Sequence, residues 1–205
     1  MAHKKVFLIR HGVTPGNAEK RYVGRRTDES LSPEGVAAAT KAKKNTSELN
    51  ADRTLRVCAS PMKRALQTAE ILFEGKAVHI VEDLAEMDFG LFEGKNHADL
   101  DGNSEYQAWL DAGGQIDIPG SEGMMPFQDR SYRGFLTALG EKDIAQTIAI
   151  VCHGGTVMAL MSRFFGGNYY DYMIDNLGGF SIDLEYDHKG IHDLTYHSFG
   201  GGDNP

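Results

Sequence analysis

A regular alternation of short apolar runs with longer segments of helical periodicity is the feature that most constrains the fold of this chain. The first four runs are apolar nearly throughout, which is typical of strands covered on both faces in a parallel sheet. The last two alternate apolar and polar residues on either side of DHKG, which predicts an antiparallel hairpin at the sheet edge. In chain order the runs cover residues 6–9, 55–60, 77–81, 147–153, 180–186 and 191–197.

The segments between these runs carry helix start signals. Ser32 followed by Pro33 is a typical N-cap and first helical residue. Ser60 and Pro61 repeat that pattern ahead of a helix with Arg64 on its first turn. Because strands and helices alternate, we expect an α/β fold in three layers, a doubly wound and mostly parallel six-stranded sheet with helices on both faces. Three further helices are predicted at residues 98–112, 125–140 and 154–165.

A length of 205 residues fits one compact domain or two small ones and is enough to bury a sizeable core. No internal repeat or low-complexity linker divides the sequence, and we expect a single domain over residues 1–205. Residues 87–127 differ from the rest, with several glycines, few β-branched residues and poor periodicity. We interpret this segment as an insertion that packs over the C-terminal ends of the strands.

Composition excludes some classes of function. The chain has 21 Lys and Arg against 29 Asp and Glu, a net charge of −8, which argues against nucleic acid as a partner because phosphate backbones bind clustered cations. No apolar stretch approaches the roughly 20 residues of a membrane span, so no membrane partner is expected. The only cysteines, Cys58 and Cys152, lie in strand-like runs and suit buried thiols better than a secreted disulfide framework, although a single disulfide stays open. We therefore expect a cytoplasmic protein.

Reactive side chains follow four of the predicted strands. Arg10 and His11 follow the first strand, Arg64 lies on the helix after the second, Glu86 follows the third and His153 follows the fourth. In open α/β sheets, ligands bind at the carboxyl ends of the strands. We therefore expect these five side chains to meet at one edge of the sheet.

Together these groups suit chemistry on a phosphate. Guanidinium groups match phosphate oxygens, and helix N-termini add N–H donors to the same region. One neutral imidazole can attack phosphorus, the other can donate to the equatorial oxygens, and a protonated carboxyl group can protonate the leaving oxygen. This mechanism requires no cofactor and no metal, and the remaining histidines show no spacing typical of zinc ligands.

Four segments, LIRHG with a following asparagine, SPMKRALQTA, EMDFGLFEG and VCHGG, resemble the motifs of the histidine phosphatase superfamily, also called the phosphoglycerate mutase-like family, in the family's order. The resemblance implies that His11 is the nucleophile that accepts the phosphoryl group. It also implies that Arg10, Arg64 and His153 form the phosphate pocket and that Glu86 donates the proton.

The resemblance assigns further residues to substrate binding. It implies that Asn17 reaches the phosphate and that Val23 and Gly24 line the pocket wall, while Gly154 allows a close approach of the backbone to the ligand. The proton donor stays open, because Asp88 lies two residues after Glu86 and can share its face in an extended segment.

The insertion bears on the choice between a phosphatase and a phosphoglycerate mutase. Residues 96–127 contain no Lys or Arg but several acidic, aromatic and methionine side chains, whereas the mutases of this family carry additional cations there. An acidic and aromatic lid disfavours a substrate with a second anionic group. We therefore predict a phosphomonoester hydrolase for a small phosphorylated metabolite with a neutral, cationic or apolar remainder, for example one like α-ribazole phosphate.

Three alternatives stay open from the sequence. They are a mutase that transfers the phosphoryl group within phosphoglycerate, a non-catalytic module that binds a phosphorylated ligand, and a protein whose aromatic insertion is an interface. A homodimer is also open, since members of the family are often dimers and no segment identifies a dimer surface.

Overall fold

A computed structural model of the chain describes residues 2–140, 145–187 and 190–200. His188 and Lys189 of the predicted hairpin turn lie outside the described residues. The strands are β1 (Ala2–Arg10), β2 (Arg56–Ala59), β3 (Val78–Ile80), β4 (Thr147–Cys152), β5 (Gly179–Asp187) and β6 (Gly190–Phe199). The α-helices are α1 (Pro15–Ala18), α2 (Pro33–Ala42), α3 (Ser47–Ala51), α4 (Lys63–Leu72), α5 (His97–Leu100), α6 (Ser104–Asp111), α7 (Met124–Leu139) and α8 (Gly154–Phe165).

The six strands form one sheet in the order β3-β2-β4-β1-β5-β6. Strands β1, β2, β3 and β4 all run parallel to one another, while β5 runs antiparallel to both β1 and β6. The predicted α/β class and the mostly parallel six-stranded sheet are therefore confirmed, and so is the antiparallel pair at one edge.

Helices cover both faces of the sheet. On one face, Val6 and Leu8 of β1 pack with Phe135 of α7 and Leu160 of α8. On the other face, Ile9 belongs to a separate buried cluster with side chains of β2, β4 and α4. Because successive residues of a strand point to opposite faces, both faces of β1 are buried, which explains why its run is continuously apolar.

Two local expectations were wrong. Strand β3 is not covered on both faces, because it is the edge strand of the sheet and its Ile80 side chain is 56% exposed. The helix expected over residues 98–112 is split into α5 and α6. Gly102 has a φ of +75° at the break, and the side chain of Asn103 accepts a hydrogen bond from the N–H of Tyr106 as the N-cap of α6.

The insertion forms its own aromatic cluster of buried residues. Phe92, Leu100, Tyr106 and Ile118 are its buried members, and Trp109 packs against them. Within the parts of the chain that the structure describes, no helix is both long and apolar enough to cross a membrane.

Candidate active site

Strand register brings the two histidines together. Arg10 at the end of β1 is paired with Cys152 at the end of β4, so the next residue of each strand, His11 and His153, stands at the same level. Their rings meet edge to face with centroids 5.1 Å apart. The N–H of Ser60, directly after β2, donates to the carbonyl of Val151, which places that serine beside His153.

The hydrogen bonds of His11 define its tautomer. Its Nδ1 lies 2.7 Å from the carbonyl oxygen of Gly12, which can only accept, so Nδ1 carries the proton. Its Nε2 accepts a hydrogen bond of 3.2 Å from Nε of Arg64. Burial and the neighbouring charges of Arg64 and Arg10 hold the pKa of His11 well below its usual value. The imidazole is therefore neutral, with the lone pair of Nε2 available as a nucleophile.

Arg64 lies behind His11 and is fully buried. Its Nη1 donates to the carbonyl of Thr27, and its Nη2 donates to the carbonyls of Val23 and Gly24 at 3.1 and 3.2 Å. The guanidinium therefore ties the loop after α1 to the nucleophile.

His153 is fully buried and has one free nitrogen. Its Nε2 lies 2.7 Å from Oγ of Ser60, while its buried Nδ1 has no hydrogen-bond partner among the described residues. Ser60 Oγ also accepts from the N–H of Met62, and because a hydroxyl has a second lone pair as well as a proton, it can either donate to Nε2 or accept from it. Burial, followed by the charge of Arg64, lowers the pKa of His153 well below its usual value. His153 is thus neutral, and its Nδ1 is used by none of the described residues.

This arrangement corrects the sequence interpretation of Ser60. Helix α4 begins at Lys63, its N-cap is Met62, and no side chain caps it. Ser60 therefore does not cap α4, because its hydroxyl is used by His153. By contrast, Ser32 caps α2 as predicted, accepting from the N–H of Gly35.

Arg10 and Asn17 offer polar groups to a cavity at this end of the sheet. Nη1 of Arg10 donates to the carbonyl of Ile174, while its buried Nε has no partner within the described ranges. The Asn17 side-chain oxygen accepts from the N–H of Thr14 and from Nδ2 of Asn176, which leaves its NH2 group for the cavity. Both side chains therefore present donors where an anion would bind.

Glu86 is buried against the start of α8. Its Oε1 accepts from the N–H of Met87 at 2.8 Å and its Oε2 from the N–H of Gly155 at 3.0 Å. Burial raises the pKa of Glu86 above its usual value, although these N–H bonds and the charges of Arg64 and Arg10 oppose the shift. Asp88, the alternative proton donor, instead forms an ion pair with Arg26, with 2.9 Å between Oδ2 and Nη2. Asp88 is not among the described residues that line the cavity.

The catalytic cavity has a volume of about 220 Å³. The described residues that line this cavity do not include Arg64, His153 or Gly24. The N–H of Gly24 instead donates to the carboxylate of Glu93. The predicted site residues that line it are Arg10, His11, Asn17, Val23, Glu86 and Gly154. The structure therefore brings all five reactive side chains together but places two of them behind its wall.

Sequence reasoning missed several residues of this site. Asn176, which precedes β5, donates from Nδ2 to the carbonyl of His11 at 2.9 Å. The hydroxyl of Tyr169 donates to the carbonyl of Gly155, whose N–H donates to Glu86. Met173 lines the cavity. These residues follow α8 without a motif of their own, so the position of their segment ahead of β5 was the only available signal.

The acidic residues of the insertion do not line the catalytic cavity, as far as the described residues extend. Asp99 pairs with Arg21, and Glu122 pairs with Arg130 at 2.6 Å. Of the insertion, Phe89 alone is among the described residues that line this cavity. No group of three or more His, Cys, Asp or Glu among the described residues is placed to hold a metal ion.

Comparison with known proteins points to one family. The family model of the histidine phosphatase superfamily, branch 1, matches residues 6–195. The adenosylcobalamin/α-ribazole phosphatase of Salmonella typhimurium is 31% identical over 163 residues, which cover 78% of each chain. Phosphoglycerate mutase-like protein 4 of Arabidopsis thaliana is 28% identical and is covered over 71% of its length, with 78% of this chain.

A solved structure agrees with this result. The crystal structure of a phosphoserine phosphatase mutant from Entamoeba histolytica, in complex with phosphoserine, matches with a TM-score of 0.73 and 26% sequence identity. The match covers 94% of this chain and 95% of that one.

Proposed function

The chain belongs to the histidine phosphatase superfamily and is a phosphatase-type enzyme, and on that premise we propose that it hydrolyses phosphomonoesters through a phosphohistidine formed on His11. The observation that carries the proposal is the tautomer of His11, whose Nδ1 proton is held by the carbonyl of Gly12. The same hydrogen bond stabilises the positive charge that the ring gains when Nε2 bonds to phosphorus.

Substrate binding frees the nucleophile. In the structure, Nε of Arg64 donates to Nε2 of His11. A phosphate oxygen is a charged and therefore stronger acceptor for that N–H, so the hydrogen bond shifts from the imidazole to the substrate. Arg10 Nε, His153 Nδ1 and the Asn17 amide provide further donors for the phosphate oxygens.

The reaction then takes two steps. Nε2 of His11 forms a bond to phosphorus while the bond to the ester oxygen breaks, and Glu86 gives its proton to that oxygen to release a neutral alcohol. The Glu86 carboxylate next takes a proton from water, the resulting hydroxide attacks phosphorus, and His11 leaves in its original neutral form. The raised pKa of Glu86 supports its first role, since a buried carboxyl group retains its proton at higher pH.

The substrate is proposed to be a small metabolite with one phosphate, and α-ribazole phosphate is a candidate because the Salmonella relative carries that name. The test is a panel of phosphomonoesters with phosphate release as the readout, including 3-phosphoglycerate. Release of inorganic phosphate at the rate of alcohol formation is expected. Conversion of 3-phosphoglycerate to 2-phosphoglycerate with little phosphate release would instead support the mutase, and tight binding without turnover would support a binding module.

A further inference from the structure

A second cavity of about 280 Å³ adjoins the catalytic cavity. The two share parts of their walls, including Tyr22, Phe89, Gly155, Met158 and Met173. The two cavities are therefore adjacent, and these shared residues lie at the boundary between them.

The walls of the second cavity are apolar and rich in aromatic rings. No Lys or Arg is among the described residues that line it, and four of those residues are methionines. Trp109 is positioned by stacking on Tyr106, with 6.1 Å between the ring centroids and 13° between the ring planes. The five rings of the lining belong to Tyr22, Phe89, Trp109, Tyr169 and Tyr170.

The proton donor marks where the leaving group lies. Glu86 lines the catalytic cavity and accepts hydrogen bonds from Met87 and Gly155, both of which line the second cavity. The ester oxygen that Glu86 protonates must lie at this junction. The carbon chain attached to that oxygen then points toward the second cavity.

We infer that the second cavity binds the leaving group of the substrate and selects a planar, apolar ring joined to the phosphate by a short spacer. This inference rests on the proposed phosphatase function and specifies its substrate class. The volume is sufficient, since a cavity of about 150 Å³ accommodates benzene. Aromatic walls favour such a ring through stacked and edge-to-face contacts.

Asp117 adds a restriction on charge. It is the only Asp or Glu among the described residues that line the second cavity, and its Oδ1 accepts from the N–H of Met124 at 2.8 Å. A carboxylate at this position disfavours a leaving group that carries its own carboxylate and favours one with an N–H or a positive charge.

The test compares 2-phenylethyl phosphate with ethyl phosphate. Both esters release an alkyl alcohol of similar basicity, so any difference in kcat/KM comes from the ring and not from the leaving oxygen. We expect the ring to raise kcat/KM by about 10-fold or more, because a single extra methylene in an apolar pocket already contributes about that much. Equal kcat/KM for the two esters would overturn the inference while leaving the phosphatase function intact.

Matched variants locate the effect. Ile116 lines the second cavity and is 46% exposed, and Ile80 is similarly exposed at the far edge of the sheet, so neither change threatens the core. Ile116→Asn is expected to reduce the preference for 2-phenylethyl phosphate about threefold or more. Ile80→Asn is expected to leave it unchanged, and an equal effect of both variants would contradict the assignment.

A binding measurement tests the ring site in the second cavity separately from the phosphatase function. Trp109 is the only tryptophan of the chain, so its fluorescence reports on the second cavity directly. We expect 2-phenylethylphosphonate, which is not hydrolysed, to change this fluorescence at saturation and ethylphosphonate to change it much less. If no ester is hydrolysed but the fluorescence still responds to 2-phenylethylphosphonate, the phosphatase proposal fails and binding of the ring in the second cavity is supported. If the esters are hydrolysed but neither phosphonate changes the fluorescence, the proposal that the second cavity binds the ring fails.

Discussion

The strand-end site and the insertion bury their side chains by opposite means. At the strand ends, buried imidazole, guanidinium and carboxyl groups satisfy one another and the backbone, with a few donors left over on Arg10 and His153. In the insertion, Trp109 and Tyr106 pack ring against ring. We therefore assign the proposed chemistry to the groups that the strand register brings together, and the proposed choice of leaving group to the aromatic lining of the second cavity, to which Phe89 and Trp109 of the insertion belong.

Glu86 lines the catalytic cavity and directly precedes the insertion, so its substitution should have the largest effect on activity. Glu86→Gln is expected to lower kcat about 10²- to 10⁴-fold for alkyl phosphates, which need a proton on the leaving oxygen. The loss should be much smaller for 4-nitrophenyl phosphate, whose leaving group is stable without a proton. Because burial raises the pKa of Glu86, wild-type activity on alkyl esters should fall as the pH rises through that value.

Asp88 provides the matched control for this experiment. Its carboxylate pairs with Arg26 and caps the N–H of Gly90. Asp88→Asn is therefore expected to keep nearly full activity on both kinds of ester. A larger loss for Asp88→Asn than for Glu86→Gln would transfer the proton donor to Asp88.

A single added methyl group should disturb the junction without removing a functional group. A Cβ at Gly155 would lie 2.4 Å from Oε1 of Glu86, whereas a Cβ at Gly154 would have Arg10 Nε as its nearest neighbour, at 3.3 Å. Gly155→Ala is expected to lower kcat about 10-fold or more on alkyl esters by displacing the carboxyl group, with a smaller effect for Gly154→Ala. Steady-state kinetics of the two variants test this order, and the reverse order would contradict the assigned position of Glu86.

Ser60 should have a moderate effect through His153. In the proposed mechanism Nδ1 of His153 donates to the phosphate, which requires Ser60 to donate to Nε2, so Ser60→Ala removes the partner that fixes the ring proton on Nδ1. We expect kcat/KM to fall about 10-fold and the ¹⁵N signals of His153 to change from one tautomer to a mixture. Unchanged ring signals would show that Ser60 does not set the tautomer.

The smallest expected effect concerns stability. The folded state keeps His11 and His153 neutral because their pKa values are lowered, while the unfolded chain protonates both below about pH 6.5. The unfolded state then binds more protons, so stability falls as the pH drops through this range, by about 1.4 kcal/mol per pH unit for each histidine.

Denaturant unfolding at several pH values measures this slope. His153→Gln should reduce it by about 1.4 kcal/mol per pH unit. Equal slopes for wild type and His153→Gln would show that His153 is not held neutral by the fold.

The sequence allowed the sheet and the positions of Arg10, His11, Arg64 and His153 to be predicted, because parallel strands bury both faces and end at a common edge. It did not reveal that the Ser60 hydroxyl forms a hydrogen bond with His153 instead of capping α4. That choice depends on the pairing of β2 with β4, which brings together residues 93 positions apart.

The charge of the insertion was misleading for a similar reason. Its acidic residues suggested a repulsive lid, but Asp99 and Glu122 pair with arginines, and Asp117 alone faces the second cavity. Composition counts charges without showing their partners. Our proposal for the substrate therefore depends on the apolar lining of the second cavity and on Asp117 within it.

The central claim, that His11 carries the phosphoryl group, is tested most directly by rapid acid-free quenching of the enzyme with a substrate labelled in its phosphate. The wild-type protein is expected to retain about one label per chain, stable in alkali and released by mild acid, and His11→Ala is expected to retain none and to lose turnover. Label and turnover that persist in His11→Ala would contradict the account.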